Sequence, residues 1–127
     1  MPHIALRPLV LLAGGYHLIL GFLLAVTPRG FYDAVAGYPP YNEHFLRDIA
    51  TFYLALGAVL LVSAARRNWQ VPLLAFALVH YALHVINHVL DIGDTDPGWQ
   101  GPLNVVSLAV VGVALWGLLR SASTQSE

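Results

Sequence analysis

The sequence predicts an all-α integral membrane four-helix bundle, and three observations support this fold class. The 127 residues are 57% hydrophobic and only 10% charged, whereas soluble domains carry about 25% charged residues. The mean hydropathy is +0.66. The few charges divide the chain into four apolar runs, at 8–28, 49–65, 68–90 and 97–119. Each run falls within the roughly 17–25 residues that cross a bilayer as a helix.

These runs predict a single transmembrane domain over residues 1–127, with helices near 7–27, 43–65, 69–91 and 101–120. The first run has no A-x-A-like cleavage site after it, so we expect a retained span and not a signal peptide. Pro and Gly in TPRG (27–30) predict its end. A GYPP loop (37–40), an AARRN turn (64–68) and a DTDPG turn (94–98) predict the three connections.

The basic residues predict that both termini are cytoplasmic. This orientation puts four arginines inside and two outside, as the positive-inside rule requires; the inside set is Arg7, Arg66, Arg67 and Arg120, and the outside set is Arg29 and Arg47. We therefore expect a multi-pass protein of the cell (inner) membrane whose main partner is the lipid bilayer, with a membrane protein partner or a homo-oligomer as further options. A net charge of −1 gives no footprint for nucleic acid, and the absence of cysteine excludes disulfides and thiolate ligands.

Polar residues in the third run share one face of the predicted helix. At about 100° per residue, all five fall within an arc of roughly 100°; they are His80, His84, Asn87, His88 and Asp91, named here the histidine stripe. Ionisable groups are costly in hydrocarbon, and a neutral imidazole still needs a partner for its N–H. We therefore expect the stripe to face the interior of the bundle.

The second run offers partners for the stripe at the same depth. His44 and Asp48 are four residues apart and share a helix face. This face continues through Thr51, Ala55 and Ala58, small residues that permit close helix approach. We therefore predict that it packs against the stripe.

Other polar residues extend the predicted site. Glu43 and Arg47 form a second i,i+4 pair, most simply a salt bridge at the rim, and Asn104 lies near the same end of the fourth run. In the first run Gly14 and Gly21 lie on the same face as His17, which predicts a helix-packing face.

The spacing His84-x-x-x-His88 lets two imidazoles on one face reach the same metal ion. We predict a transition metal site for Zn, Fe or Cu, with His84, His88 and His44 as ligands. Asp48 and Asp91 would be further ligands or would orient the imidazoles. Residues around the site that could orient the ligands or bind a ligand are Glu43, Arg47, Asn87, Asn104, His80 and His17. A hydrogen-bonded polar network that fixes helix register is an equal alternative.

A second cofactor is considered for the two mid-depth imidazoles. His17 and His80 lie on different helices and could be the axial ligands of haem b. Gly14 and Gly21 would make room for the macrocycle, and Arg47 could meet a propionate. The single histidine of the first run, where two-haem cytochromes have pairs, argues against this assignment.

Catalysis stays open at this level. A histidine-bound metal could activate water, or His and Asp could shuttle protons on a lipid-like substrate, but no serine or cysteine nucleophile is suitably placed. A non-catalytic accessory subunit, with the stripe as a structural network, is the alternative from another class.

The layout resembles the DoxX-like group of small four-helix bacterial membrane proteins. The resemblance lies in FLRDIATFYLALGAVLL (45–61), where Arg47 starts the second helix and Gly57 follows in an apolar run, and in Leu20, Gly21 and Pro28 of the first. It implies a four-helix integral membrane protein, sometimes an accessory partner of an oxidoreductase. The histidine stripe departs from the pattern expected of that group.

Overall fold

Four long helices make up most of the chain. A computed structural model describes residues 6–125 and shows helices α1 (Leu6–Val26), α2 (Glu43–Ser63), α3 (Gln70–Leu90) and α4 (Gln100–Thr124), with no strand in that part of the chain. All four are long and apolar enough to cross a membrane. The all-α class and the four spanning helices are thus as the sequence predicts.

The helices form two tightly packed antiparallel pairs, α1 with α2 and α3 with α4. Glycine brings the first pair close together. A Cβ atom added to Gly57 would lie 2.7 Å from the Leu18 nitrogen, and one added to Gly21 would lie 2.8 Å from the Leu54 nitrogen. Backbones therefore touch where side chains would otherwise separate them, as is usual for helices that associate in membranes.

The face of α2 that packs against the bundle is not the predicted one. The face through His44, Asp48, Thr51, Ala55 and Ala58 is exposed. The buried positions are instead Leu46, Ala50, Tyr53, Leu56, Gly57, Leu60 and Ser63. The face that carries Gly57 approaches α1 more closely than the face with Ala55 and Ala58 could. Gly57 has no Cβ, and it meets a face of α1 that itself carries glycine.

The two pairs meet through long aromatic side chains between α2 and α3. The Phe52 ring centroid lies 6.1 Å from that of Phe76 and 4.5 Å from that of His80, and the Tyr53 and His80 centroids are 5.9 Å apart. We call these four residues the aromatic seam. Rings of this size hold the backbones of α2 and α3 further apart than those of α1 and α2, and the separation leaves room for a cavity.

A helical cap, residues 28–37, joins α1 to α2 where the sequence predicts a helix stop and a loop. Pro28 ends α1 because it lacks an N–H, yet its fixed φ also suits the start of a helix, and a short turn follows over Pro28–Phe31. The chain then widens into a π-turn, Tyr32–Ala36. Gly37 closes the cap with φ at 59° and donates its N–H to the Tyr32 carbonyl at 2.9 Å.

We expect the α1–α2 contact to depend on its glycines. Replacing Gly21 by alanine should destabilise the protein by about 1–3 kcal/mol, because the new methyl group overlaps the α2 backbone. SDS-titration unfolding of the purified protein measures the effect. Gly15→Ala is the matched control on the same helix, since a Cβ there meets no atom within 4 Å. Equal stability of the two variants would contradict the packing described.

Candidate functional site

A cavity of about 390 Å³ lies between the two helix pairs at the end of the bundle that carries the helical cap. We call it the cap cavity. Its walls are mostly apolar, from residues such as Leu20, Phe31, Leu46, Ile49 and Leu108. Its polar lining comes from all the elements that surround it. These residues are Tyr16, Tyr32, Tyr38, Asn42, Tyr53, His84, Asn87, His88, Asp91, Asn104 and Ser107.

His84 and His88 are in direct contact at the cavity wall. Their Nε2 atoms are 3.0 Å apart. Two neutral imidazoles cannot face each other with two bare lone pairs at this distance without repulsion. Either one Nε2 carries a hydrogen and donates it to the other, or a cation lies between them. The predicted pairing of these two side chains is thus present.

The other ring nitrogen of each imidazole faces a tyrosine hydroxyl. The Nδ1 of His88 lies 2.9 Å from the Tyr38 oxygen, and the Nδ1 of His84 lies 3.4 Å from the Tyr53 oxygen. Tyr38, His88, His84 and Tyr53 therefore form a continuous sequence of hydrogen-bonding groups, named here the Tyr–His chain. It runs from the cap end toward the middle of the bundle, and each neutral member can both donate and accept.

The outermost member of the chain stays protonated at neutral pH. Partial burial raises the pKa of the Tyr38 hydroxyl, and the nearby carboxylates of Asp91 and Asp94 raise it further. A phenol with a raised pKa keeps its hydrogen over a wider pH range, so Tyr38 remains a neutral donor and acceptor toward His88.

His44 and Asp48 lie away from this cavity. The two side chains pair with each other at 3.4 Å and are 88% and 65% exposed. Over residues 6–125 no three His, Asp or Glu side chains come close enough together to hold a metal ion. The structure therefore brings together His84 and His88 but not the predicted set of five ligands, because the face of α2 that bears His44 and Asp48 points away from the bundle.

The remaining predicted residues take varied positions. Glu43 and Arg47 form an exposed salt bridge at 2.7 Å, as expected for a rim pair. Asp91 and Asn87 line the cap cavity, Asp91 half-buried and Asn87 exposed. Asn104 is buried, but it binds the helical cap and not the stripe.

His17 occupies a different environment from the one a haem would need. It is fully buried, and its Nδ1 lies 2.7 Å from the Ala13 carbonyl oxygen of its own helix. The space expected beside Gly14 and Gly21 is filled by Leu61 and Leu54 of α2. This face of α1 packs against α2, which agrees with the predicted helix-packing face. It leaves no room for a macrocycle there.

Tyr53 and Tyr81 are central residues that the sequence reasoning did not single out. Their side chains are 3% and 0% exposed and surround the histidines from α2 and α3. A tyrosine in the middle of an apolar span carries a hydroxyl that needs a partner, as a mid-span histidine does. That signal was available at both positions.

The helical cap is fixed by two hydrogen bonds from α4 and one from the loop that precedes it. Gln100 donates its Nε2 hydrogen to the Asp33 carbonyl at 2.9 Å, and Asn104 donates from Nδ2 to the Val35 carbonyl at 2.8 Å. The Asp96 N–H donates to the Gly37 carbonyl at 2.8 Å. Since the cap follows α1 and precedes α2, these bonds tie the two helix pairs together across the cavity.

No family model, curated protein or solved structure matches this chain. The resemblance to the DoxX-like proteins therefore stays a prediction, and the site is interpreted from its own geometry.

We expect Asn104→Ala to loosen the helical cap. The substitution leaves the Val35 carbonyl without its donor, at a cost of about 1 kcal/mol, so amide hydrogen exchange over residues 32–37 should become roughly fivefold faster. Hydrogen exchange with mass spectrometry measures this. Ser107→Ala is the control, because its hydroxyl bonds only the Asn104 carbonyl of its own helix. Unchanged exchange in Asn104→Ala would show that the cap is held by other contacts.

Proposed function

We propose that this membrane protein binds a transition metal ion between His84 and His88 at the wall of the cap cavity. One observation carries the proposal. The two Nε2 atoms face each other at 3.0 Å while each Nδ1 is within reach of a tyrosine hydroxyl. If a metal were held by both Nε2 atoms, both Nδ1 atoms would carry hydrogens and could donate them to the Tyr38 and Tyr53 hydroxyls. Outer hydrogen bonds of this kind orient the imidazole ligands of metal sites.

The separation of the two nitrogens suits a shared ion. Histidine nitrogen binds zinc at about 2.0–2.1 Å, so two nitrogens 3.0 Å apart correspond to an angle of roughly 95° at the metal. This lies near the values for square or octahedral coordination. An increase of a few tenths of an ångström in the separation gives the tetrahedral angle, so the spacing accommodates Zn, Fe or Cu, the metals that imidazole favours.

A metal held there would have open positions toward the cap cavity. Asp91 lines the same cavity one turn beyond His88 and could supply a carboxylate ligand. A site with two protein imidazoles leaves positions for water or for a small molecule, and open positions are characteristic of metal sites that act on a substrate. The apolar walls favour a lipid-like molecule.

Metal titration of the detergent-purified protein tests this function. After treatment with EDTA, we expect about one Co²⁺ or Zn²⁺ per chain to bind at a site with histidine ligands, visible in the Co²⁺ absorption spectrum and by elemental analysis. His84→Ala and His88→Ala should each abolish the spectrum. Tyr38→Phe should weaken binding roughly tenfold, because it removes the acceptor that orients His88.

The exposed pair His44 and Asp48 supplies a matched control. His44 lies four residues before Asp48, as His84 lies four residues before His88, but the pair is outside the cavity. His44→Ala should therefore leave metal binding unchanged. Binding that disappears in His44→Ala and persists in His84→Ala would overturn the assignment. Absence of binding in the wild-type protein would overturn the function itself.

A second candidate function is proton transfer on a lipid-like substrate without a metal. The unbroken Tyr–His chain favours it, because a neutral chain of donors and acceptors can deliver a proton to the cavity or remove one. Both candidates require His84 and His88, but only the metal site should lose its function after EDTA treatment and regain it with added metal.

We propose further that both termini are cytoplasmic, so that the cap cavity opens at the outer face of the cell membrane. The arginine distribution supports this orientation. Because the chain contains no cysteine, single cysteines can report the topology. Gly98→Cys should react with a membrane-impermeant maleimide in intact cells, and Asn68→Cys should react only after permeabilisation. The reverse pattern would invert the orientation.

A further inference from the structure

A second polar cluster lies deeper in the bundle than the two histidines of the proposed metal site. It consists of His17, Tyr53, His80 and Tyr81, named here the mid-depth cluster. His17 and Tyr81 are fully buried, with 0% exposure. Two buried polar atoms in it, His17 Nε2 and His80 Nε2, have no hydrogen-bond partner among residues 6–125. The Tyr81 hydroxyl lies next to those of Tyr16 and Tyr53.

The four rings of the cluster surround a common region. The His17 centroid lies 6.0 Å from that of Tyr53 and 5.7 Å from that of Tyr81. The His80 centroid lies 5.9 Å and 5.5 Å from the same two tyrosines. Each imidazole is thus next to both phenols, and the two nitrogens without partners come from α1 and α3, whose side chains meet where the His17 ring lies 5.7 Å from that of Tyr81.

The hydrogen-bonding roles of the cluster can be assigned in part. His17 donates its Nδ1 hydrogen to the Ala13 carbonyl at 2.7 Å, so its Nε2 is a bare acceptor that needs a donor. The Tyr81 hydroxyl supplies both a donor and an acceptor. A buried polar group without a partner destabilises the folded protein. Two such nitrogens beside the Tyr53 and Tyr81 hydroxyls favour a guest that donates and accepts hydrogen bonds.

We propose that water bound in the mid-depth cluster extends the Tyr–His chain to His17, giving protons access from the cap end to the middle of the bilayer. Tyr53 connects the two parts, because its hydroxyl faces His84 and its ring is next to both His17 and His80. Water satisfies donors and acceptors together, which a metal ion cannot. The path therefore runs through Tyr38, His88, His84 and Tyr53 to His17.

The surroundings of the cluster set where this path ends. Tyr16 is the additional titratable side chain from α1, and its ring lies 5.1 Å from that of His17. The facing part of α4, residues 108–115, has no titratable side chain. Tyr16 and His17 also line an apolar groove of about 570 Å³ between α1 and α4. Exposed Leu12 and Val110 border that groove, so the path ends beside the lipid phase.

Solid-state NMR of metal-free, ¹⁵N-histidine-labelled protein in lipid bilayers tests the inference. The His17 Nδ1–H signal is identified by its contact with the ¹³C-labelled Ala13 carbonyl. We expect polarisation transfer from water to the His17 ring, and exchange of its hydrogen in D₂O, despite complete burial. Tyr53→Phe should slow that exchange at least tenfold while leaving exchange at His88 unchanged. His84→Gln interrupts the chain one step earlier and should act in the same direction.

Tyr41→Phe is the control, because Tyr41 contacts Glu43 outside the path. It should leave exchange at His17 unchanged. A His17 ring that receives no polarisation from water would overturn the inference, as would exchange in Tyr53→Phe and His84→Gln that is as fast as in the wild-type protein. The experiment uses metal-free protein, so its outcome does not depend on the metal proposal.

Discussion

The imidazoles of His84 and His88 take their hydrogen-bond partners from the protein itself, and this requirement determines how the bundle is arranged around the end of α3. Hydrocarbon offers nothing to an N–H or to a ring lone pair. The partners of His84 and His88 are each other and two tyrosines from different parts of the chain, Tyr38 and Tyr53. A histidine stripe on α3 is tolerated because α2 and the segment after the helical cap bring hydroxyl groups to it.

The same arrangement explains why the interface between α1 and α2 is close and the interface between α2 and α3 is open. Glycines bring α1 and α2 into backbone contact, which needs no polar groups. The aromatic seam between α2 and α3 instead uses Phe52, Tyr53, Phe76 and His80, and rings of this size keep the helices apart. This spacing leaves room for the cap cavity. The helical cap, which is hydrogen-bonded to α4, covers that cavity. The candidate site thus lies where the helices are held furthest apart.

Much of the fold follows from the sequence, because charge spacing and run length report spanning helices directly. The glycine face of α1 and the i,i+4 pairing of His84 with His88 also follow, since both are properties of a single helix. The partners across helices do not. Periodicity shows which residues share a face, but it does not show which face of a neighbouring helix lies opposite. The sequence therefore predicts that His44 and Asp48 lie opposite the stripe, whereas in the structure Tyr53 lies there.

The helical cap marks a second limit of sequence reasoning. Pro28 and Gly30 are ordinary signals of a helix end, yet Pro28 here also begins the next turn. What fixes the cap is its bonding to Gln100 and Asn104 of α4, residues about seventy positions away in the chain. Local signals cannot report such contacts, although two amide side chains at the start of an apolar helix are a hint that backbone groups are bound there.

The division into two close pairs has a consequence for biogenesis. Each pair is a helical hairpin with its own complete contact surface, so each can insert and associate as a unit before the two meet, in keeping with two-stage assembly of membrane helices. Until the hairpins dock, the imidazoles of α3 lack their tyrosine neighbours. The polar centre of the bundle therefore forms last. Its hydrogen bonds form only when the two hairpins have docked correctly.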